Sequence, residues 1–310
     1  IDNPNGYRFV EFPVYNTIVA VVWKLFGIST TSARLVTVFV SLASILVLFM
    51  LTRHFSGTKI ALLSAFFYAT IPYSVFYASS ILPGPTMVLW VLITSLLFAK
   101  WIDGSGWYWL AGAIIFANLA VLTWPIALFF FLPLAYLAVR KYGLSALVTP
   151  SLWIFTILSV LPFLAWRIWM LNFPEGIPYA GYLLNDGNIR FKGAFFRWLI
   201  AERLGRLILT VGGFSLLVIG IVTKPTKKEG LFYLSMLAAV AVYFVTFASG
   251  NVRHDYYQVP AIPILAIFLA IGANTLISLP KEKFIKIFGP VCLLVLVATM
   301  YTFGYFEVRG

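Results

Sequence analysis

Residues 251–279 read NVRHDYYQVPAIPILAIFLAIGANTLISL. From Tyr256 to Leu279 there is no Asp, Glu, Lys or Arg, and a membrane-spanning helix needs about 20 such mostly apolar residues. Directly before this run stand Arg253, His254 and Asp255. A bare turn between two spans needs only a glycine and a polar residue or two, so charges and tyrosines at the mouth of the run ask for a further reason.

The pattern recurs outward from this stretch. The chain of 310 residues is 62% hydrophobic and 10% charged, with mean hydropathy +0.97. Soluble domains carry about a quarter charged residues, so the expected fold class is all-α, a polytopic transmembrane helix bundle. Ten segments have the length and composition of spans or nearly so: 31–55, 58–80, 84–102, 107–122, 124–140, 147–171, 206–223, 229–249, 256–279 and 285–306. Residues 12–27 are apolar but short, with Pro13 suited to a first turn and Gly27 to a stop, and predict a juxtamembrane helix. Neither a repeat nor a second soluble domain is apparent, so residues 1–310 read as a single domain.

Lysine and arginine orient the bundle. One set of alternating links holds Arg53, Lys59, Lys100, Arg140, Lys141, Lys224, Lys227, Lys228, Lys281, Lys283 and Lys286 against Asp103, Glu229 and Glu282. By the positive-inside rule that side is cytoplasmic, which puts residues 1–30, 172–205 and 250–256 outside, with the plasma (inner) membrane as the expected location. The outer link 172–205 nevertheless carries Arg190, Lys192, Arg197 and Arg203 with Glu175, Asp186 and Glu202; these charges need a local explanation. The net charge of +12 follows from the positive-inside bias and anionic lipid, and no separate basic block points to nucleic acid.

Several side chains carry candidate chemistry. Arg34, Thr37, Ser41 and Ser44 share one helix face, the hydroxyls suited to packing and Arg34 to a phosphate, a carboxylate or the interface. Tyr68, Pro72, Tyr73, Tyr77, Pro83 and Pro85 gather toward an outer end, as an aromatic belt or around a recessed cavity. In GAFFRWLIAERLGR (193–206), Phe195, Phe196, Trp198, Leu199 and Leu204 alternate with Arg197, Arg203 and Arg206. That is a basic amphipathic helix within the outer loop 172–205, facing ordinary anionic lipid or a phosphorylated lipid substrate. Glu202 and Arg206 form an i,i+4 pair. Asp2 and Glu11 are carboxylates before the juxtamembrane helix, where one could take a proton from an attacking hydroxyl. Cys292 is the single cysteine and reads as a small buried side chain; two histidines, His54 and His254, on opposite sides rule out a multi-histidine metal site. No nucleotide-binding motif occurs, and no cofactor is named, a divalent cation staying open.

The segments EFPVYN (11–16), KLFGIS (24–29) and ARL (33–35), the basic link beginning RHFSGTK (53–59) and HDYYQVPAIPILAIFLA (254–270) together resemble the GT-C glycosyltransferases, in particular the protein O-mannosyltransferase and aminoarabinose transferase branch. The resemblance implies an inverting membrane enzyme that moves a sugar from a polyprenyl-phosphate carrier at the outer face to a lipid, glycan or protein acceptor. It also implies that the family's first span and most of its first outer loop, with the acidic motif that supplies the general base, would precede Ile1. Glu11 matches the acid of the family's E-x-P segment, Arg34 the Arg of A-R-L, and Tyr257 and Pro260 its Tyr-x-x-Pro. Three positions depart: Phe12 where a Lys is common, Gly84 after Pro83 where an acid is common, and Trp124 where a Lys is common.

The expected site is then Glu11 and Asp2 as acid–base groups, with Arg34, Arg197, Arg203, Arg253, His254, Tyr256, Tyr257 and Tyr77 around the lipid phosphate and sugar. The rival class is a lipid or carrier-sugar transporter without chemistry, which predicts inverted repeats and buried mid-membrane charges; here the charges gather at span ends.

Overall fold

The computed structural model describes residues 3–104, 106–226, 228–278 and 285–309, and these are helical with connecting turns. Helix α1 (Val14–Phe26) ends at Gly27, whose φ of 86° a side chain would resist. Its Tyr15 and Val19 bury against Ala33 and Val36 in a cluster of their own, and the Tyr15 and Thr37 hydroxyls lie 3.0 Å apart. Val21, Leu25 and Phe26 point outward, an apolar face suited to lipid.

Helix α2 (Thr30–Thr70) starts at Ser29, whose hydroxyl accepts the Ser32 N–H at 3.1 Å. It is two helices joined at Gly57 (φ 82°, ψ 174°). Proline at the first turn begins α3 (Pro72–Tyr77) and α4 (Pro83–Ile102). Helix α5 (Trp107–Thr123) stops at Trp124, and a 3-10 turn (Pro125–Phe130) leads into α6 (Phe131–Tyr142). Helix α7 (Pro150–Met170) precedes the long link, which holds α8 (Tyr182–Asn185) and α9 (Gly193–Arg197), the latter continuing as a π-helix (Trp198–Ile208). A bend of 112° then starts α10 (Thr210–Val222). Helix α11 (Phe232–Thr246), the short α12 (Ala248–Arg253), a 3-10 stretch (Asp255–Ala261), α13 (Ile262–Ile277) and α14 (Ile285–Arg309) complete the described chain.

The quoted apolar run is the central helix. Every residue of α13 from Ile262 to Ala273 is buried, as a helix apolar on all sides requires, with α2, α10, α11 and α14 packed around it. Two glycines let α10 come close. A Cβ at Gly220 would stand 2.0 Å from the Phe268 carbonyl oxygen, and one at Gly272 2.2 Å from that of Leu216. In lipid, such close backbone approach supplies the packing that water would otherwise drive.

The span count corrects the sequence expectation of about ten. Among the described residues six helices are long and apolar enough to cross a membrane, or seven if the bent pair Gly193–Ile208 and Thr210–Val222 counts as one span. The segments 31–55 and 58–80 meet at Gly57, whose non-helical backbone separates the two helices of α2, and the second gives way to α3 after Thr70. Helices α5 and α11, at 17 and 15 residues, fall short of a crossing of about 20. Apolar runs set by hydropathy were thus cut by local backbone breaks. Cys292 is partly exposed rather than buried.

Candidate functional site at the outer end of the central helix

The charges before α13 are tied down by the long link. The Arg203 guanidinium donates through Nη1 to the Asp255 carboxylate and through Nη2 to the Val252 carbonyl at 2.7 Å, while its face covers the Trp198 ring at 5.2 Å. Arg253 donates to the Asp186 carboxylate and lies 5.5 Å from the Tyr182 ring centre. The Tyr73 hydroxyl donates to the Asp255 backbone carbonyl, and the Tyr243 hydroxyl to that of Tyr257 at 2.8 Å. Five separated elements therefore meet on residues 252–257. This local pairing accounts for Arg203 and Asp186 among the charges in 172–205 that broke the positive-inside pattern.

Aromatic rings line the same place. His254 stacks on Tyr257 at 5.3 Å and lies at the same separation from Tyr256; Tyr257 meets Trp124 edge-on, also at 5.3 Å. Glu11 and Tyr182 lie within electrostatic reach of Tyr256 and Tyr257. Burial raises the Glu11 carboxyl above the ordinary glutamate value, partly offset by its own backbone hydrogen bond. Tyr77 packs tilted against Tyr73, ring centres 4.6 Å apart, and feels the charges of Asp255 and Arg203.

The structure thus brings together Glu11, Tyr77, Arg203, Arg253, His254, Tyr256 and Tyr257. Arg34 and Arg197 are exposed and form no ion pair among the described residues. Asp2 lies outside the described residues, as do Lys227, Lys281, Lys283 and Glu282. The cavity expected around Tyr68, Tyr73, Tyr77 and Pro85 exists but is small, about 20 Å³. A larger cavity, about 340 Å³, lies elsewhere, among apolar residues of α6 and α7 such as Phe131, Leu134 and Phe155. Its lining offers almost no polar group, so the chemistry does not reside there. Among the described residues no three of His, Cys, Asp and Glu converge on a metal position.

Sequence reading missed Asp186 and Tyr182, the partners of Arg253. Asp186 stands 67 residues from Arg253, so no helical spacing could pair them; the signal was the excess of opposite charges in the link. The departures from the family pattern also acquire a meaning. Phe12, where Lys is common, packs edge-on against Trp166 at 5.0 Å, next to the stacked Trp166–Trp169 pair. Gly84 and Trp124 are neighbours: a Cβ at Gly84 would meet the Trp124 ring at 3.3 Å. The two positions where an acid and a lysine were expected are thus in contact, a small residue against a large one.

Comparison with known proteins fits this arrangement. Residues 4–169 match the model of the dolichyl-phosphate-mannose-protein mannosyltransferase family. The chain belongs to this mannosyltransferase family. Its fold is similar to that of ArnT from Cupriavidus metallidurans bound to undecaprenyl phosphate (TM-score 0.64, 17% identity), covering 97% of this chain and 66% of that one. It is also similar to the Archaeoglobus fulgidus oligosaccharyltransferase in complex with Zn and sulfate (TM-score 0.57, 15% identity), covering 96% of this chain and 44% of that one. The chain spans just under two thirds of the ArnT chain and less than half of the oligosaccharyltransferase. No curated protein sequence matches it. The resemblance to the mannosyltransferase and aminoarabinose transferase branch therefore stands, and the protein is a multi-pass GT-C membrane protein.

Proposed function

We propose that this chain is the membrane domain of a glycosyltransferase that moves a sugar from a polyprenyl-phosphate carrier to an acceptor hydroxyl or amine, with inversion. The observation that carries the proposal is that Arg253, 5.5 Å from the Tyr182 ring centre, sits beside the His254, Tyr256 and Tyr257 rings, with Glu11 within electrostatic reach of both tyrosines. A carboxylate and a cation spaced by aromatic rings are what this transfer needs. The name of the matched family and the carrier bound to ArnT support the same donor class.

In the proposed mechanism Arg253, with His254 beside it, holds the carrier phosphate and stabilises the charge that grows on it as the glycosidic C–O bond breaks. Tyr256 and Tyr257 present ring faces and hydroxyls to the sugar. Glu11 accepts the proton of the attacking acceptor group, and its partly buried position makes it a stronger base than an exposed glutamate. Asp2 is a second carboxylate proposed for this role. Arg203 holds Asp255 and thereby the turn that carries Arg253 through Tyr257. Arg34 and Arg197, being exposed, are proposed to attract the anionic carrier from the membrane surface. The site faces the outside of the plasma membrane in this reading, since the lysine-rich links lie at the other end of the bundle.

The test uses the full-length protein in nanodiscs with radiolabelled polyprenyl-phosphate sugars and extracted envelope acceptors. Carrier-dependent transfer, lost in Glu11→Gln, is expected. Carrier binding with no transfer across a broad donor panel would overturn the enzymatic reading in favour of a transporter or a silent homologue.

A further inference from the structure

The lysine-rich end has a cavity of its own, about 170 Å³. Its floor is apolar, from Phe55 of α2, Ile102 of α4 and Leu137 of α6, and its rim carries Arg140, Lys141 and Lys228. The cations come from two separate elements. Arg140 and Lys141 end α6, and Lys228 belongs to the link before α11. Arg140 joins them by donating through Nη1 to the Lys228 carbonyl at 2.6 Å.

The described carboxylates at this end, Asp103 and Glu229, have partners of their own. Asp103, also on the rim, has its Oδ2 3.0 Å from His54 Nε2. Glu229, only 5% exposed, accepts the Ser56 hydroxyl and the Thr226 N–H. Lys141 and Lys228 make no ion pair among the described residues. Two lysines, Lys141 and Lys228, with Arg140 held on the Lys228 carbonyl, thus line one cavity, and Asp103, the described carboxylate among its lining residues, is shared with a histidine.

We propose that this cavity binds the phosphate of an anionic phospholipid. Lysines set at random on a cytoplasmic surface would snorkel into water; here they rim a recess whose floor is built of side chains at the end of the spans. A phosphate ester with an acyl-bearing backbone satisfies both parts, the cations taking the headgroup and the apolar floor its glycerol and first methylenes. A free phosphate would gain nothing from Phe55, Ile102 and Leu137. The site lies at the opposite end of α11 and α13 from Arg253 and Glu11, so it is independent of the proposed transfer.

The experiment uses the full-length protein in nanodiscs of phosphatidylcholine doped with phosphatidylglycerol, with retained lipid counted by native mass spectrometry. Wild type is expected to retain phosphatidylglycerol over phosphatidylcholine. Lys141→Gln with Lys228→Gln should weaken that retention roughly 30-fold, the effect of two cations at an anionic lipid surface. Lys141→Arg with Lys228→Arg should restore it, and Lys59→Gln, on the same end but off the cavity, should leave it unchanged. Wild-type retention in the folded double Gln variant would overturn the proposal. If that variant fails to fold, equal retention of the two lipids by wild type overturns it on its own. Inorganic phosphate competing as well as phosphatidylglycerol would overturn the assignment to a lipid.

Discussion

Replacing Asp255 by alanine strands the Arg203 guanidinium, and the cost can be worked from the two side chains' surroundings. The Arg203 side chain is 10% exposed and that of Asp255 is 53% exposed. Breaking a fully buried pair costs about 3–5 kcal/mol, whereas fully exposed pairs contribute about 0–1 kcal/mol. Arg203 keeps the Val252 carbonyl at 2.7 Å and the Trp198 face, and water can reach the space that Asp255 leaves. These retained contacts place Asp255→Ala at about 2 kcal/mol of lost stability, about a 30-fold shift in the unfolding equilibrium. Arg203→Met with Asp255→Ala removes the stranded charge as well, so the double variant should cost no more than Asp255→Ala alone. The assay is reversible denaturation in mixed micelles, followed by tryptophan fluorescence. A double variant whose cost equals the sum of the two singles, or an Asp255→Ala protein within about 0.5 kcal/mol of wild type, would refute the ion-pair reasoning.

Further outcomes follow from other residues. Glu11→Gln should lower carrier-dependent transfer about 10²- to 10⁴-fold while the melting temperature holds, as expected for loss of a general base. Burial raises the Glu11 carboxyl, so its proton is lost above pH 4.5, the ordinary value; the pH–rate profile should therefore rise through that higher range, and a rise centred at or below 4.5 would exclude Glu11 as the base. The same shift disfavours the charged form in the fold, a small cost present at neutral pH and absent below the unfolded-state value. Arg253→Ala should reduce kcat about 10²- to 10³-fold if it stabilises the phosphate charge, and a change confined to KM would leave it a binding group. Gly220→Ala drives a methyl to 2.0 Å from the Phe268 carbonyl and should destabilise α10 against α13 by about 1–3 kcal/mol, read by thermal unfolding in detergent. Gly84→Ala should cost less, because its 3.3 Å contact is with the Trp124 ring rather than backbone.

Membrane helices are easy to read in sequence because lipid leaves the backbone no alternative to internal hydrogen bonds. Hydropathy located α4, α7, α13 and α14 to within a few residues. It also set boundaries at the breaks around Gly57 and Trp124-Pro125, where glycine and proline mark the backbone, and it missed the bend before Thr210 inside the expected span 206–223, because composition does not register local dihedral angles. Glu11, Arg203, Arg253, His254, Tyr256 and Tyr257 were legible as a group since charge and aromatic rings stand out against an apolar background. Their partners were not. Asp186, Tyr182, Tyr73 and Tyr243 reach residues 252–257 from four other elements, and only the folded chain shows which charge meets which.

The pairing has a consequence for the donor. Both nominated cations at the centre of the site are already matched by carboxylates, but in unequal surroundings. Arg203 is buried and held by a carbonyl and a ring as well as by Asp255; displacing Asp255 would forfeit the whole constellation, which suits a strut. Arg253 and Asp186 are each half-exposed, and an exposed pair contributes little. A carrier phosphate can therefore replace Asp186 on Arg253 at small cost, while Asp186, released toward solvent, keeps its backbone N–H on the Ser249 hydroxyl at 2.7 Å. In the proposed enzyme the Arg253–Asp186 pair acts as a stand-in that keeps the guanidinium aimed until the phosphate arrives. On that logic Asp186→Asn should tighten carrier binding, and Asp255→Asn should not.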